Sequence, residues 1–288
     1  MKSYLDLIES VLTNGILKPN RTGIDTIAIK GYTFEHDMRN GFPLLTTKKI
    51  KFENVASELE FFIKGITDKK WLQDRGNNIW NDWMAKNNNY HYDVSDEILE
   101  EYFKRELGPI YGWNWRHYGA KYEGFDKNYE GKGFDQLAYV LELLRVDPNS
   151  RRMYVTAWDP LQLSKVALPS CHYGFYLDVL DNKLNLTWDQ RSVDVAIGLP
   201  FNIASYATLL HLIAKEFGFE EGMLTGSLKG VHIYLNHIEG LKKQLTRKPS
   251  KLPKIVTENF TSTLEWKYTD SRVENYEPQA FIKFDIAV

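Results

Sequence analysis

Between Asn202 and Phe217 the chain has almost no polar face. Ile203, Tyr206, Leu209, Leu210, Ile213 and Phe217 recur at helical spacing, and Gly218 follows as a C-cap. A helix this apolar must be covered on most sides. It predicts a central core helix, and the segments around it must supply the covering layers.

Those segments are mixed. Residues 3–13 read as an amphipathic helix stopped by Asn14-Gly15, residues 26–38 as a strand, and residues 53–64 as a helix with Val55, Leu59, Phe62 and Ile63 on one stripe. Residues 134–146 form a helix ended before Pro148, and residues 152–158 alternate as a strand. A short strand at 231–235 and a helix at 238–245 follow the core helix. Two stretches interrupt the pattern: a polar insertion at about 84–106, with an Asn-rich turn and then an exposed helix, and a Gly-, Lys- and Tyr-rich surface loop at about 119–133. A chain of 288 residues with 43% apolar content can build one large core. No repeat or Pro/Ser-rich linker divides it, so the reading is α+β: a single domain over 1–288 whose large mixed, mostly antiparallel sheet is packed by helices.

Immediately before the core helix comes a hairpin. His172 to Val179 and Lys183 to Asp189 are rich in β-formers, with Asp181-Asn182 as the turn. A turn centred there sets the only cysteine, Cys171, opposite Ser192, and His172 opposite Arg191. A nearby guanidinium lowers a thiol pKa from ~8.5 towards neutrality, and the thiolate is the nucleophile. Cys171 is therefore read as reactive rather than as inert filling.

Other residues leave two readings open. Glu58 falls on the apolar stripe of its helix, either at the edge with its carboxylate in water or buried with a raised pKa. Asn202 either caps the core helix or offers its amide to a base edge. His232 and Tyr234 share one strand face, as a core pair or as donors to a sugar hydroxyl. Arg21, Arg151, Arg152 and Arg191 stand beside turn residues and Ser192, types suited to a phosphate dianion. The adjacent Arg151 and Arg152, read as strand residues, would point to opposite faces and reach one ligand only across a subunit interface.

The net charge of −2 argues against a general nucleic-acid or membrane surface. No apolar run is long enough to span a bilayer. The acidic, helix-patterned N-terminus is unlike a signal peptide, and a lone cysteine suits a reducing compartment, so cytoplasm is the expected location. No phosphate-binding Gly-rich loop and no zinc spacing occur, and no metal is expected.

Taken in order, the motifs resemble the thymidylate synthase family. They are Arg21-Thr22-Gly23, Thr46-Thr47-Lys48, Ile79-Trp80-Asn81-Asp82-Trp83, Leu107 to Gly112, Ser150-Arg151-Arg152, Cys171-His172, Gln190 to Asp194, Gly198 to Tyr206, His232-Ile233-Tyr234 and the terminal Ala287-Val288. The resemblance implies dUMP methylation with 5,10-methylenetetrahydrofolate as co-substrate, in a homodimer. It implies Cys171 as nucleophile, with Glu58, Tyr111, His172 and Asn202 around the pyrimidine. It implies phosphate contacts from Arg21, Arg191 and Ser192, and from Arg151 and Arg152 of the second subunit. Gln190, Asp194, Asn202, His232 and Tyr234 would complete the nucleotide site; Trp80, Trp83, Asp194, Gly198 and Ala287 would contact folate. The chain departs from the family pattern at Tyr176, Asp189, Trp113, Gly230 and Gln279, among others. Those departures name the alternative, a dUMP hydroxymethylase, in which water captures the methylene.

Overall fold

A computed structural model describes residues 1–85 and 92–286. In chain order its main elements are α1 (Lys2–Asn14), β1 (Ile16–Lys18), β2 (Thr26–Asp37), α2 (Phe52–Ile63), α3 (Lys70–Gln73), α4 (Asp96–Arg105), α5 (Gly112–His117) and α6 (Gln136–Val146). There follow β3 (Tyr154–Thr156), β4 (His172–Leu180), β5 (Lys183–Gln190), β6 (Val193–Asp194), α7 (Gly198–Phe217), β7 (Glu220–Tyr234), α8 (Ile238–Leu245), β8 (Lys254–Thr257) and β9 (Ser271–Glu274).

Among the described residues the large sheet runs β1-β2-β7-β5-β4-β3, with β6 also on β7. Its pairs are antiparallel except β5–β7 and β6–β7, which are parallel. The architecture is thus the expected α+β one, with a mixed sheet. β8 and β9 form a separate two-stranded ribbon.

α7 is the core helix, with Leu199, Ile203, Leu209, Leu210, Leu212 and Ile213 wholly buried. Each such side chain contributes about 1.5–3 kcal/mol relative to exposure. Although long and apolar, α7 is not apolar enough to cross a membrane, and neither is any other helix among the described residues. It starts at Gly198, earlier than the Asn202 expected, because a proline in the first helical turn gives up no hydrogen bond and Pro200 is therefore tolerated there. Asn202 sits past the helix start, which removes the N-cap reading.

β7 is fifteen residues long, where only 231–235 was legible as strand. Gly222, Gly226 and Gly230 hide its alternation. The expected strand at 152–158 shrinks to β3, and Arg151 and Arg152 lie in the turn before it. The opposite-faces difficulty therefore does not arise. Within the polar stretch α4 buries none of its residues. The 119–133 segment is not purely surface. Tyr122 and Tyr129 are buried around Trp113, edge-on to it at 4.8 and 4.2 Å between ring centroids, in a small aromatic cluster of their own.

Candidate active site

The hairpin follows the expected register from Leu180↔Lys183 to Gly174↔Asp189 and then slips. An extra residue on β4, between His172 and Gly174, forms a bulge that pairs His172 with Gln190 instead of Arg191. Cys171 consequently faces Arg191 rather than Ser192, and its carbonyl accepts from the Arg191 N–H at 2.9 Å. The guanidinium is held to the loop before Cys171: Nε donates to the Ser170 carbonyl at 3.0 Å and Nη2 to the Pro169 carbonyl at 2.7 Å. Its remaining N–H groups make no hydrogen bond to a described residue.

Tyr111 approaches Cys171 from the other side, its hydroxyl accepting from the Cys171 N–H at 2.8 Å. Tyr111 has a φ of 30°, a conformation rare for a residue with a side chain. Packing enforces it. The next residue, Gly112, lies so close to α2 that a Cβ there would come within 2.0 Å of the Phe62 carbonyl oxygen. The ring of Tyr111 stacks on Phe62 at 4.8 Å and on His172 at 4.3 Å. The motif from Leu107 to Gly112 is thus a clamp that aims one phenol at the thiol.

Electrostatics correct one expectation. Burial pushes the Cys171 thiol up, and the opposing pull of Arg191, the Tyr111 hydroxyl and Arg21 does not outweigh it. Desolvation penalises a thiolate before any one cation helps it. Glu58 takes the buried reading, not the solvent-edge one. Burial raises its pKa to about 7 even though Trp80 Nε1 donates to it at 2.8 Å. Burial lowers His172 to about 3, and its Nδ1 pairs with the Tyr206 hydroxyl at 2.9 Å, so it is a neutral ring. Cys171 and Glu58 both act electrostatically on Tyr111, so the three share one neighbourhood.

Asn202 is tied into a chain of amides: Gln190 Nε2 donates to its Oδ1 at 3.0 Å. Asp194 accepts from the Ala196 and Ile197 N–H groups at 2.9 and 3.2 Å, which shapes the turn into α7 beside Gly198. His232 and Tyr234 are half-buried between the buried Val231 and Ile233, with rings 5.3 Å apart, and so do not form a core pair. Tyr234 is within electrostatic range of Cys171, Arg21 and Asp194. Ser192, next to Arg191, is half-buried.

Arg21 and Trp83 line a cavity of about 570 Å³ with Asp82, Met84, Leu168 and Pro169, against the loop that carries Cys171. Trp80 is buried beneath, 5.8 Å from Trp83 and 6.0 Å from Tyr111 between ring centroids. Arg151 and Arg152 are not brought to this place. They are exposed and line a separate recess of about 530 Å³ with Asp147, Asn149 and Ser150. Ala287 lies outside the described residues.

Two residues were given no role by the sequence reading. Lys48 is buried, hydrogen-bonds the Ala196 carbonyl and sits 4.8 Å from the Phe284 ring centroid; burial lowers it to about 8 against the pull of Asp194. The sequence named it only within Thr46-Thr47-Lys48, and its place beside the exposed Lys49 gave no signal of burial. Trp188 donates its indole N–H to Gln190 Oε1 at 3.0 Å, and its signal was a position two before Gln190, hence on the same strand face.

Comparison with known proteins agrees with this arrangement. The family model described as thymidylate synthase matches residues 2–288. The chain is 40% identical over its whole length to thymidylate synthases of two Listeria monocytogenes strains, whose full lengths it covers. It is also 40% identical to the bifunctional dihydrofolate reductase-thymidylate synthase of Leishmania major, spanning 55% of that longer protein. With its Cys171, Tyr111 and Arg191 grouping and a match along nearly its whole length, the chain belongs to the thymidylate synthase family.

Proposed function

We propose that the chain methylates dUMP to dTMP through a covalent bond from Cys171 to carbon 6 of the uracil. The observation that carries this reading is Cys171 itself, clamped between the Tyr111 hydroxyl and Arg191 with a buried Glu58 titrating near neutrality beside them. Cys171 holds its proton until it reacts, and Arg191, Tyr111 and Arg21 stabilise the thiolate as it forms. Addition at carbon 6 makes carbon 5 nucleophilic and throws charge onto oxygen 4. Asn202 donates to that oxygen, and Glu58, poised near pH 7, moves protons there. Arg21, Arg191 and Ser192 take the phosphate, and His232 with Tyr234 the deoxyribose.

Arg151 and Arg152 lie in a different recess from Arg21, which suits a phosphate held by two copies of the chain. The catalytic unit would then be a homodimer of chains spanning 1–288.

The fit to a reduced folate rests on the aromatic wall of Trp80 and Trp83 beside a cavity of about 570 Å³. 5,10-Methylenetetrahydrofolate supplies the one-carbon unit and the hydride when bound. Trp80 and Trp83 would pack its ring, and Asp194, Gly198 and Ala287 would flank it.

Of the departures that suggested hydroxymethylation, Asp189 and Tyr176 give it no support. Asp189 alternates with the buried Trp188 and Gln190, so it points to the opposite sheet face, where it accepts from Lys229 at 2.7 Å. Tyr176 pairs with Thr187 on that same face. Product analysis tests the reading. Incubation with dUMP and methylenetetrahydrofolate should yield dTMP and dihydrofolate in step. A 5-hydroxymethyl nucleotide with unoxidised tetrahydrofolate would identify the hydroxymethylase instead.

A further inference from the structure

Trp188 is wholly buried on β5, stacked on Tyr206 at 5.5 Å with 12° between ring planes. Its ring lies over Gly226 of β7, where a Cβ would come within 2.5 Å of ring carbon Cζ2. The strand therefore gives up a side chain to seat this indole. The indole N–H meets one acceptor, Gln190 Oε1 at 3.0 Å. Gln190 then donates through Nε2 to the Ser192 carbonyl and to Asn202 Oδ1, both at 3.0 Å.

This pattern permits one orientation of each amide. Turning the Gln190 amide over would set its NH2 against the indole N–H and its oxygen against two other oxygens. A buried polar group left facing a like group costs its desolvation in full. With Gln190 held, Asn202 must keep its oxygen towards Gln190. Its Nδ2 then points away, with no hydrogen bond to a described residue. An amide held this way offers N–H to a ligand. It suits a carbonyl at the pyrimidine 4-position and opposes an amino group there.

We propose that Trp188 is a positioning residue that, through Gln190, locks the Asn202 amide with its donor outward and so sets the preference for a 4-keto over a 4-amino pyrimidine. This rests on reading the site as a dUMP site. Without the indole donor, Gln190 loses one of the two fixed contacts that decide its orientation, and the Ser192 carbonyl alone still opposes the turned amide. A joint turn of Gln190 and Asn202, which keeps the bond between them while Asn202 presents its oxygen, then becomes less costly by the lost indole contact.

The test replaces Trp188 with benzothienylalanine, which keeps the two-ring shape but puts sulfur where the N–H was. Trp188→Phe is made alongside it. Three quantities are read: kcat and KM for dUMP and for dCMP, the thermal midpoint, and hydrogen exchange of the Gln190 side-chain amide by nitrogen-15 NMR. The dUMP-over-dCMP ratio in kcat/KM should fall about tenfold in the benzothienyl variant, mainly through KM for dUMP. The Gln190 amide protons should exchange faster, and the thermal midpoint should barely move. A wild-type ratio or wild-type amide protection in that variant overturns the proposal. If the unaltered protein binds no dUMP, the dUMP reading fails and the preference with it. That failure appears in the unaltered protein, whereas failure of the relay appears only in the variants.

Discussion

Two buried glutamates, Glu58 and Glu106, are treated very differently. Glu106, just before the Gly108–Tyr111 loop, has both oxygens saturated. Oε1 accepts from the Tyr122 hydroxyl at 2.5 Å and the Gly108 N–H at 2.6 Å, and Oε2 accepts from the Tyr92 hydroxyl and from the Phe125 N–H at 3.1 Å. Glu58, on α2, accepts from Trp80 at one oxygen and from no described residue at the other. Burial raises both carboxyls, but in Glu106 four donors pull against it. The contrast separates scaffold from chemistry. A carboxylate with every lone pair engaged ties three chain segments together and has nothing left to give a ligand. One with an idle oxygen and a pKa near 7 is costly to keep and suited to moving protons.

The largest effect that could break this contrast is on turnover. Glu58→Gln keeps the shape and an acceptor for Trp80 but cannot titrate, and kcat should fall by about 10²–10⁴. A kcat within about threefold of wild type would move Glu58 into the structural class with Glu106. Glu106→Gln should show the reverse. Its new NH2 faces two of the four donors, so stability should drop by about 2–5 kcal/mol, seen as a lower denaturant midpoint, while kcat per folded molecule changes far less. Equal midpoints for the two proteins would undo the scaffold assignment.

A pH series sharpens the same comparison at lower amplitude. Glu58 has a folded pKa of about 7, above its ordinary value of 4.5. Between these values the folded state holds a proton that the unfolded state has lost, so its stabilising contribution is lost as pH rises through that window. Relative to Glu58→Gln, wild type should lose on the order of 3 kcal/mol between about pH 5 and pH 8. A flat difference across that range would show that Glu58 is not desolvated as the fold implies. The smallest expected effect is none at all. His172, lowered to about 3 by burial, should show unshifted imidazole NMR signals from pH 8 down to pH 5. A midpoint near 6.5 would give the site a second neutral-range titration and weaken the case for Glu58.

Much of the scaffold was readable because it depends on local periodicity. The α7 stripe, the β4–β5 hairpin with its Asp181-Asn182 turn, and α1, α2 and α8 all lie within a residue or a few of expectation. What misled were places where a neighbour overrides local preference. The bulge near Tyr173 shifts Cys171 from Ser192 to Arg191. β7 runs through three glycines because its neighbours come close: Gly226 makes room for the Trp188 ring, Gly222 lies against Asn185 and the Leu184 carbonyl, and Gly230 lies against the Arg191 carbonyl. Tyr122 and Tyr129 turn inward from a polar loop because Trp113 and Glu106 receive them.

The sequence by itself determined which residues could take part: one thiol, the arginines beside turns, a carboxylate on an apolar stripe, and an amide near the start of the core helix. Side-chain chemistry is a property of the residue, and motif order survives without coordinates. Only the tertiary structure decided their states. Whether Glu58 is buried, whether Cys171 is held up by desolvation or drawn down by Arg191, and which end of the Asn202 amide points outward all depend on groups distant in the chain. Desolvation and hydrogen bonding act through space, over a few ångströms, and it is the packing of α2, the Gly108–Tyr111 loop and the β4–β5 hairpin around one another that brings those groups within range.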